Sequence, residues 1–409
     1  MALFCIKWIK KKQILLIYIS VLSVVSVSAI ASIPVAPKVT AAESKLAHSE
    51  LANLEVPYID FTPETLSDGI RVGNFDHVKA DKAMLNKLAM EVSTQKLGKY
   101  DSLLLVKGDT LIFESYYLRG RIDNPHPQAS VTKAILSLAL GRAIALGHLT
   151  MADLDKPIVS FFNDLNSEAF SPGAQSITLH QALTMQSGLR IKHELYAALR
   201  TKLGQKSTQA QLQALLSSSL PIEPSKQNFN YQSEDPAFVM LVLNKLVPSG
   251  AKAFIEQELF NKLGVFNYQW RDEVGGLPIG AYGSALTSRD MVKLGLLVKS
   301  GGQWQGEQLI PKKYLAKATN KIVTLNGSDI FFTGDKVKMP SYGYYWWQAE
   351  MQIGDKRYLT RSAQGGGGQY IVLIDELDLM IVTTGHEEDE QTMKLIATHL
   401  LAVFQSENG

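Results

Sequence analysis

Apolar residues recur with different rhythms along this chain. At Leu85, Leu88, Ala89 and Val92 they fall at i, i+3, i+4 and i+7, the spacing of an amphipathic helix. The stretch "SLLLVKGDTLIFESYYL" (102–118) is two β-rich runs around Lys107-Gly108-Asp109 and predicts a hairpin. Residues 130–147 are apolar almost all round, as expected of a helix buried on every side. From about 150 to 270 the pattern is mostly helical, with loops at "NSEAFSPGAQS", "QSGL" and "EPSKQNFNYQSEDP". Pro236 after Asp235 marks one more helix start. Strand-like runs return at "YGYYWWQAEM", "KRYLTRSA", "QYIVLI" and "LDLMIVTT", and a helix near "DEQTMKLIATHLLAVF" ends the pattern. Strands at both ends with a helical block between them predict an α+β fold. One antiparallel sheet built from distant segments is covered by helices, with a helical lobe inserted at roughly 150–280.

The first 31 residues follow another logic. "MALFCIKWIKKKQ" carries Lys7, Lys10, Lys11 and Lys12 without an acid, and the uncharged run "ILLIYISVLSVVSVSAIASI" follows. A basic start, an apolar stretch and a small-residue Ala29-Ile30-Ala31 site read as a signal peptide; at about 20 residues the run also suits an uncleaved membrane anchor. Residues 32–56 are small, polar and Pro-containing, and read as a linker; residues 57–409 form the folded domain. The expected location is periplasmic or secreted, with membrane contact only through the N-terminal segment.

Composition and charge narrow the chemistry. At 46% apolar and 20% charged residues, the chain can bury a large core. The formal charge of +2 falls to −2 for residues 32–409 once the four leader lysines are removed, so no basic field for nucleic acid remains. The single cysteine, Cys5, lies in the leader, which excludes thiol catalysis and cysteine–zinc sites from the exported part.

A serine followed by a lysine three places on occurs at Ser93/Lys96, Ser130/Lys133 and Ser249/Lys252. Ser93 belongs to the last turn of a helix, where exposed carbonyls oppose an alkoxide. Ser249, between Pro248 and "GAKAFIEQEL", reads as an ordinary N-cap. Ser130 opens the all-apolar helix, where free N–H groups and the positive dipole end support negative charge. Lys133 shares its face one turn on, and burial lowers a lysine pKa toward the range a general base needs. A capping serine with a lysine reaching outward explains the pair equally well at this stage. His126, four residues earlier between two prolines, reads as incidental, and the chain contains no G-x-S-x-G.

Four motifs in order go further: "SVTK" opening the apolar helix, "LTMQSGL" at 183–189, "YQS" at 231–233 and "GGGGQYIVLIDELDLMIV" near the end. With "GSALTSRDMVKLGLLV", "GGQWQGEQLIP" and "YGYYWW", they resemble the serine β-lactamase-like hydrolases over residues 57–405. These include class C β-lactamases, penicillin-binding proteins and related esterases. The nearest branch is that of the 6-aminohexanoate-dimer hydrolases, with Y-x-S where β-lactamases carry Y-x-N. The resemblance implies a β-lactamase/transpeptidase-like fold and an acyl-enzyme on Ser130, with Lys133 and Tyr231 moving protons and Ser233 bonded near Lys133. It implies an oxyanion hole made by the nucleophile's N–H and one in Gly365–Gly368, with Gly366 the best register. "LTMQSGL" is taken as structural. The family's K-T-G or H-T-G triplet corresponds to Ala363-Gln364-Gly365, which has no cation for a substrate carboxylate. The expected substrate is therefore a small ester, amide or peptide, and the chemistry requires no metal or cofactor. Action on β-lactams or peptidoglycan peptides is the alternative within the class. A catalytically silent protein that binds a cell-wall peptide or partner is the alternative outside it.

Overall fold

The computed structural model describes residues 35–192, 207–272, 276–327, 336–388 and 391–405, with positions 194, 195 and 198. The leader expected as signal or anchor lies outside the described residues. Pro34–Gly409 forms one compact unit. Among the described residues no single helix is long and apolar enough to cross a membrane.

The principal strands are β1 (Tyr58–Asp60), β2 (Tyr100–Lys107), β3 (Thr110–Tyr116), β4 (His126–Pro127), β5 (Ser284–Leu286), β6 (Val337–Tyr342), β7 (Trp347–Ile353), β8 (Lys356–Gly365), β9 (Gln369–Ile374) and β10 (Leu379–Gly385). The helices that position the site are α1 (Lys82–Ser93), α2 (Val131–Ala145), α3 (Leu179–Leu183), α4 (Thr208–Ser218), α5 (Glu234–Leu246), α6 (Gly250–Phe254), α7 (Ser288–Lys299) and α8 (Thr392–Val403).

The main sheet runs β1–β3–β2–β10–β9–β8–β7–β6, with short strands at Arg71–Val72 and Val323–Thr324 completing it among the described residues. The hairpin expected at 102–118 is present, with Lys107 opposite Thr110. β10 pairs antiparallel with β2, Val382 opposite Leu104, so the two ends of the chain meet in one sheet as the α+β reading requires. β2, β9 and β10 are almost wholly buried, because helices cover the sheet. Such strands read as continuous apolar runs rather than alternating ones. α7 packs on β9 and β10 and α2 on β8, while α3, α4 and α5 build the inserted lobe.

α2 is buried along nearly its whole length, Lys133 and Arg142 included. A fully buried leucine contributes about 1.5–3 kcal/mol relative to exposure, so Leu136, Leu138 and Leu140 anchor this helix firmly. Arg142 is matched by Glu258 at 2.9 Å, whereas Lys133 has no carboxylate among its hydrogen-bond partners.

Two sequence expectations change. The supposed strand "YGYYWWQAEM" is a hairpin: β6 ends at Tyr342, the Gly343 N–H bonds the Trp346 carbonyl, and β7 begins at Trp347. Gly343 presses so closely on the Ala318 carbonyl that a Cβ there would lie 2.2 Å from it. The aromatic run is apolar enough for a strand, but this close approach turns the chain. Tyr344 then bonds His180 at 2.7 Å, and the Tyr345 hydroxyl donates to the Ala182 carbonyl at 3.1 Å, docking the turn on α3. The segment read as a linker is also tied to the domain at several points of its described part, though most of it is exposed. Ala36 and Leu51 are buried, Glu43 pairs with Arg121 at 2.7 Å, and the Leu54 N–H bonds the Leu118 carbonyl.

Candidate active site

Ser130 stands at the N-cap position of α2 without a side-chain capping bond. Ala129 just before it has φ 45°, a left-handed conformation strained for a residue with a Cβ. Such strain persists only where the surroundings enforce it. Here the Gln128 N–H bonds the Ser284 carbonyl, and Thr132 shares a 2.7 Å hydroxyl bond with Ser284, so β5 clamps the turn from both sides.

Lys133, one turn along, is 3% exposed and lies with Nζ 2.9 Å from Ser130 Oγ and 2.8 Å from the Ala281 carbonyl. Its partners are neutral, so burial is uncompensated and lowers its pKa to about 7. The other serine–lysine pairs are spent elsewhere. Ser93 donates to the Met90 carbonyl, and Lys252 pairs with Asp272 at 2.6 Å. Ser249 occupies the N-cap position of α6 but makes no capping bond. Asn244 accepts from the Ala251 N–H instead, which corrects the expected capping role.

Tyr231 arrives from the loop before α5. Its ring centroid is 4.7 Å from Lys133 Nζ, and it leans on Trp347 at 5.4 Å between centroids. "LTMQSGL" holds this loop in place. The Asn230 N–H bonds the Met185 carbonyl, and buried Ser187 donates to Asp235, which also accepts from Gln232 at 3.0 Å. Asp235 is fully buried, and burial raises its pKa to about 7 against those bonds. An acid in the first turn of a helix normally reads as an exposed dipole partner, so nothing in its local sequence marked it.

The end of β8 closes the site. A Cβ on Gly365 would stand 2.4 Å from the Gln128 carbonyl and 3.1 Å from the Ser130 nitrogen, so only glycine lets this strand reach the nucleophile's backbone. Gly365→Ala should therefore displace β8 from Ser130 and cost about 1–3 kcal/mol. Thermal melting would register the stability change, and ester kinetics the loss of turnover. Wild-type values in both would show that the contact is dispensable.

Ser130, Tyr231, Trp347, Gln364, Gly365, Gly366 and Tyr370 line one cleft of about 230 Å³. A larger cleft of about 570 Å³ lies elsewhere, but its buried cations Arg289 and Lys293 are already paired with Glu114, Asp68 and Asp290. The structure thus brings together Ser130, Lys133, Tyr231, Gly365 and Gly366. It does not bring in the other two residues. Ser233 is the N-cap of α5 and is not a partner of Lys133, whose bonds go to Ser130 and Ala281. Ala363 is fully buried, and strand alternation turns its neighbour Gln364 toward the cleft instead. His126 is not incidental: it is buried, 3.0 Å from Asp101.

Comparison with known proteins agrees with this architecture. The Beta-lactamase family model matches residues 101–402. A Bacillus anthracis protein provisionally assigned as a 6-aminohexanoate-dimer hydrolase superposes with a TM-score of 0.57 at 16% identity, over 84% of this chain and 86% of that one. A D-stereospecific amidohydrolase from Streptomyces gives 0.54 at 15% identity, over 78% and 98%. A hydrolase with promiscuous acyltransferase activity gives 0.57 at 15%, over 79% and 99%. None of the curated proteins matches the sequence. At such identities the structural likeness speaks for the fold, and the family model speaks for descent. With its sheet assembled from both chain ends and a family match across three hundred residues, the chain belongs to the serine β-lactamase-like family of hydrolases.

Proposed function

We propose that the protein is an exported serine hydrolase that cleaves an ester or amide through a covalent acyl-enzyme on Ser130. The observation that carries this reading is the 2.9 Å contact between Ser130 Oγ and a buried lysine whose pKa is brought to about 7. In its neutral form Lys133 accepts the hydroxyl proton as Oγ bonds to the acyl carbon. The N–H groups of Ser130 and Gly366 are assigned to the oxyanion, and Gly365 permits their approach. When the tetrahedral adduct collapses, the leaving alcohol or amine takes its proton from Lys133 by way of Tyr231. Water then attacks the acyl-enzyme along the same proton route and releases the acid.

The cleft supports a neutral substrate. Its walls are the rings of Tyr231, Trp347 and Tyr370 with the Gln364 amide, and none of its described lining residues is basic. A carboxylate-bearing β-lactam or peptidoglycan peptide would find no basic residue among that described lining. The amidohydrolase and hydrolase among the structural neighbours fit the same chemistry. Export rests on the basic, then apolar, leader.

The test exposes the folded protein to a fluorophosphonate probe, a p-nitrophenyl ester and a chromogenic cephalosporin. Labelling with ester turnover well above cephalosporin turnover is the expected result. Faster cephalosporin hydrolysis would move the assignment to β-lactamase. Absence of labelling in folded protein would replace the enzyme with a binding protein.

A further inference from the structure

Four distant segments meet behind the glycine turn around one carboxylate. Asp101, at the start of β2, is fully buried. Its Oδ2 lies 3.0 Å from His126 Nε2, 3.0 Å from His386 Nδ1 and 3.4 Å from His48 Nε2, while its Oδ1 accepts the Arg119 N–H at 2.9 Å. Burial alone would raise the Asp101 pKa, but the three imidazoles hold it well below the usual carboxylate range. The donor atoms of His48, Asp101 and His126 all lie within 4.8 Å of one another.

The hydrogen-bond inventory makes this cluster difficult to satisfy with protons alone. His126 faces an acceptor at both nitrogens: the Pro127 carbonyl at 2.9 Å from Nδ1, and Asp101 at Nε2. A neutral imidazole has one N–H and can donate to only one of those two acceptors. The His48 ring lies only 4.1 Å away between centroids and competes for the same oxygen. A divalent cation resolves the conflict, because neutral imidazole nitrogens and a carboxylate oxygen can all point lone pairs at it.

The geometry points to a structural zinc-type site formed by Asp101, His126 and His48, with His386 bonded to the same carboxylate beside it. Zinc–nitrogen and zinc–oxygen bonds of about 2.0–2.1 Å place ligand atoms roughly 3.3 Å apart along a tetrahedral edge. The distances of 3.0 and 3.4 Å from the carboxylate oxygen to His126 and His48 bracket that edge. An outer partner is also in place: His126 Nδ1 lies 2.9 Å from the Pro127 carbonyl, the kind of support that orients a metal-binding imidazole. His386 is the most exposed of the three rings, its side chain 28% accessible, and gives the ion a way in.

The site acts through the frame rather than on substrate. His126 begins the strand that leads to Ser130. His386 follows Gly385, whose N–H donates to Gln369, and precedes Glu387, whose N–H bonds the Gly367 carbonyl. A bound cation would lock the approach to the nucleophile and the back of the glycine turn into one unit. It would also stabilise the fold, since it binds native but not unfolded chain.

The test uses full-length, tag-free protein stripped with a chelator and titrated with Zn²⁺ by calorimetry, and with Co²⁺ by visible absorption. The expected result is saturable one-to-one binding, a tetrahedral Co²⁺ spectrum and a rise in Tm with Zn²⁺. His48→Ala and His126→Ala should each weaken binding by about 10-fold or more, while His180→Ala should leave it unchanged. Should His126→Ala not fold, His48→Ala carries the comparison. No saturable binding to folded wild type, or equal affinity in the wild type and the His48 variant, would overturn the site and leave a carboxylate–imidazole network.

Discussion

Ser130→Ala removes fluorophosphonate labelling and lowers ester turnover by about 10³-fold or more, because the nucleophile of a covalent route has no substitute. The alternatives are accounted for: Ser93 is bonded to the Met90 carbonyl at a helix C-terminus, and Ser249 lies at α6 with Lys252 tied to Asp272. The variant should also fold normally. Replacing a working capping serine by alanine costs about 1 kcal/mol, but Ser130 makes no capping bond, and Lys133 keeps its bond to the Ala281 carbonyl. An unchanged melting temperature beside lost turnover is therefore the signature of a chemical role. Persistent labelling would remove Ser130 from the mechanism, and a collapsed melting temperature would make it structural.

Much of the frame could be read from local pattern. An all-apolar run cannot face water, so the burial of α2 followed from its composition, and with it the unusual position of Lys133. The late strands were visible as apolar runs for the same reason. What failed to show were features set by contacts across the chain. "YGYYWW" has strand composition, yet the Ala318 carbonyl pressing on Gly343 makes it a turn. Whether Ala363 or Gln364 faces the cleft depends on the phase of β8, which an apolar count does not give. Ser233 was placed by analogy with a motif, whereas the Ala281 carbonyl, 148 positions along the chain from Lys133, takes the bond to that lysine. Asp101 and its three histidines are invisible for a stronger reason. They lie at 48, 101, 126 and 386, with no spacing that a local motif could carry, and the pairing of β2 with β10 is what brings Asp101 and His386 together.

The pH dependence of turnover tests the other half of the site. Lys133 works as a base only when neutral, and burial has moved its pKa down to about 7. For a neutral ester, kcat/KM should therefore rise with pH through about 7 and level off above it. Lys133→Ala should lower turnover by about 10²–10⁴-fold and erase that limb. Lys133→Arg should not restore it, since a guanidinium stays protonated throughout. Asp235 also titrates near 7 and must be separated. It is fully buried and does not line the cleft, so Asp235→Asn should leave the limb in place. Stability supplies an independent reading. The folded state holds the proton of Lys133 less tightly than the unfolded state does, so between about 7 and the ordinary lysine range wild-type stability gains as pH rises. Lys133→Met, which carries no charge, should exceed wild type in Tm most clearly below pH 7, with the advantage shrinking above it. A limb that survives in Lys133→Ala, or a Met variant whose advantage grows with pH, would mean that this lysine is charged in the resting enzyme and that another group takes the serine proton.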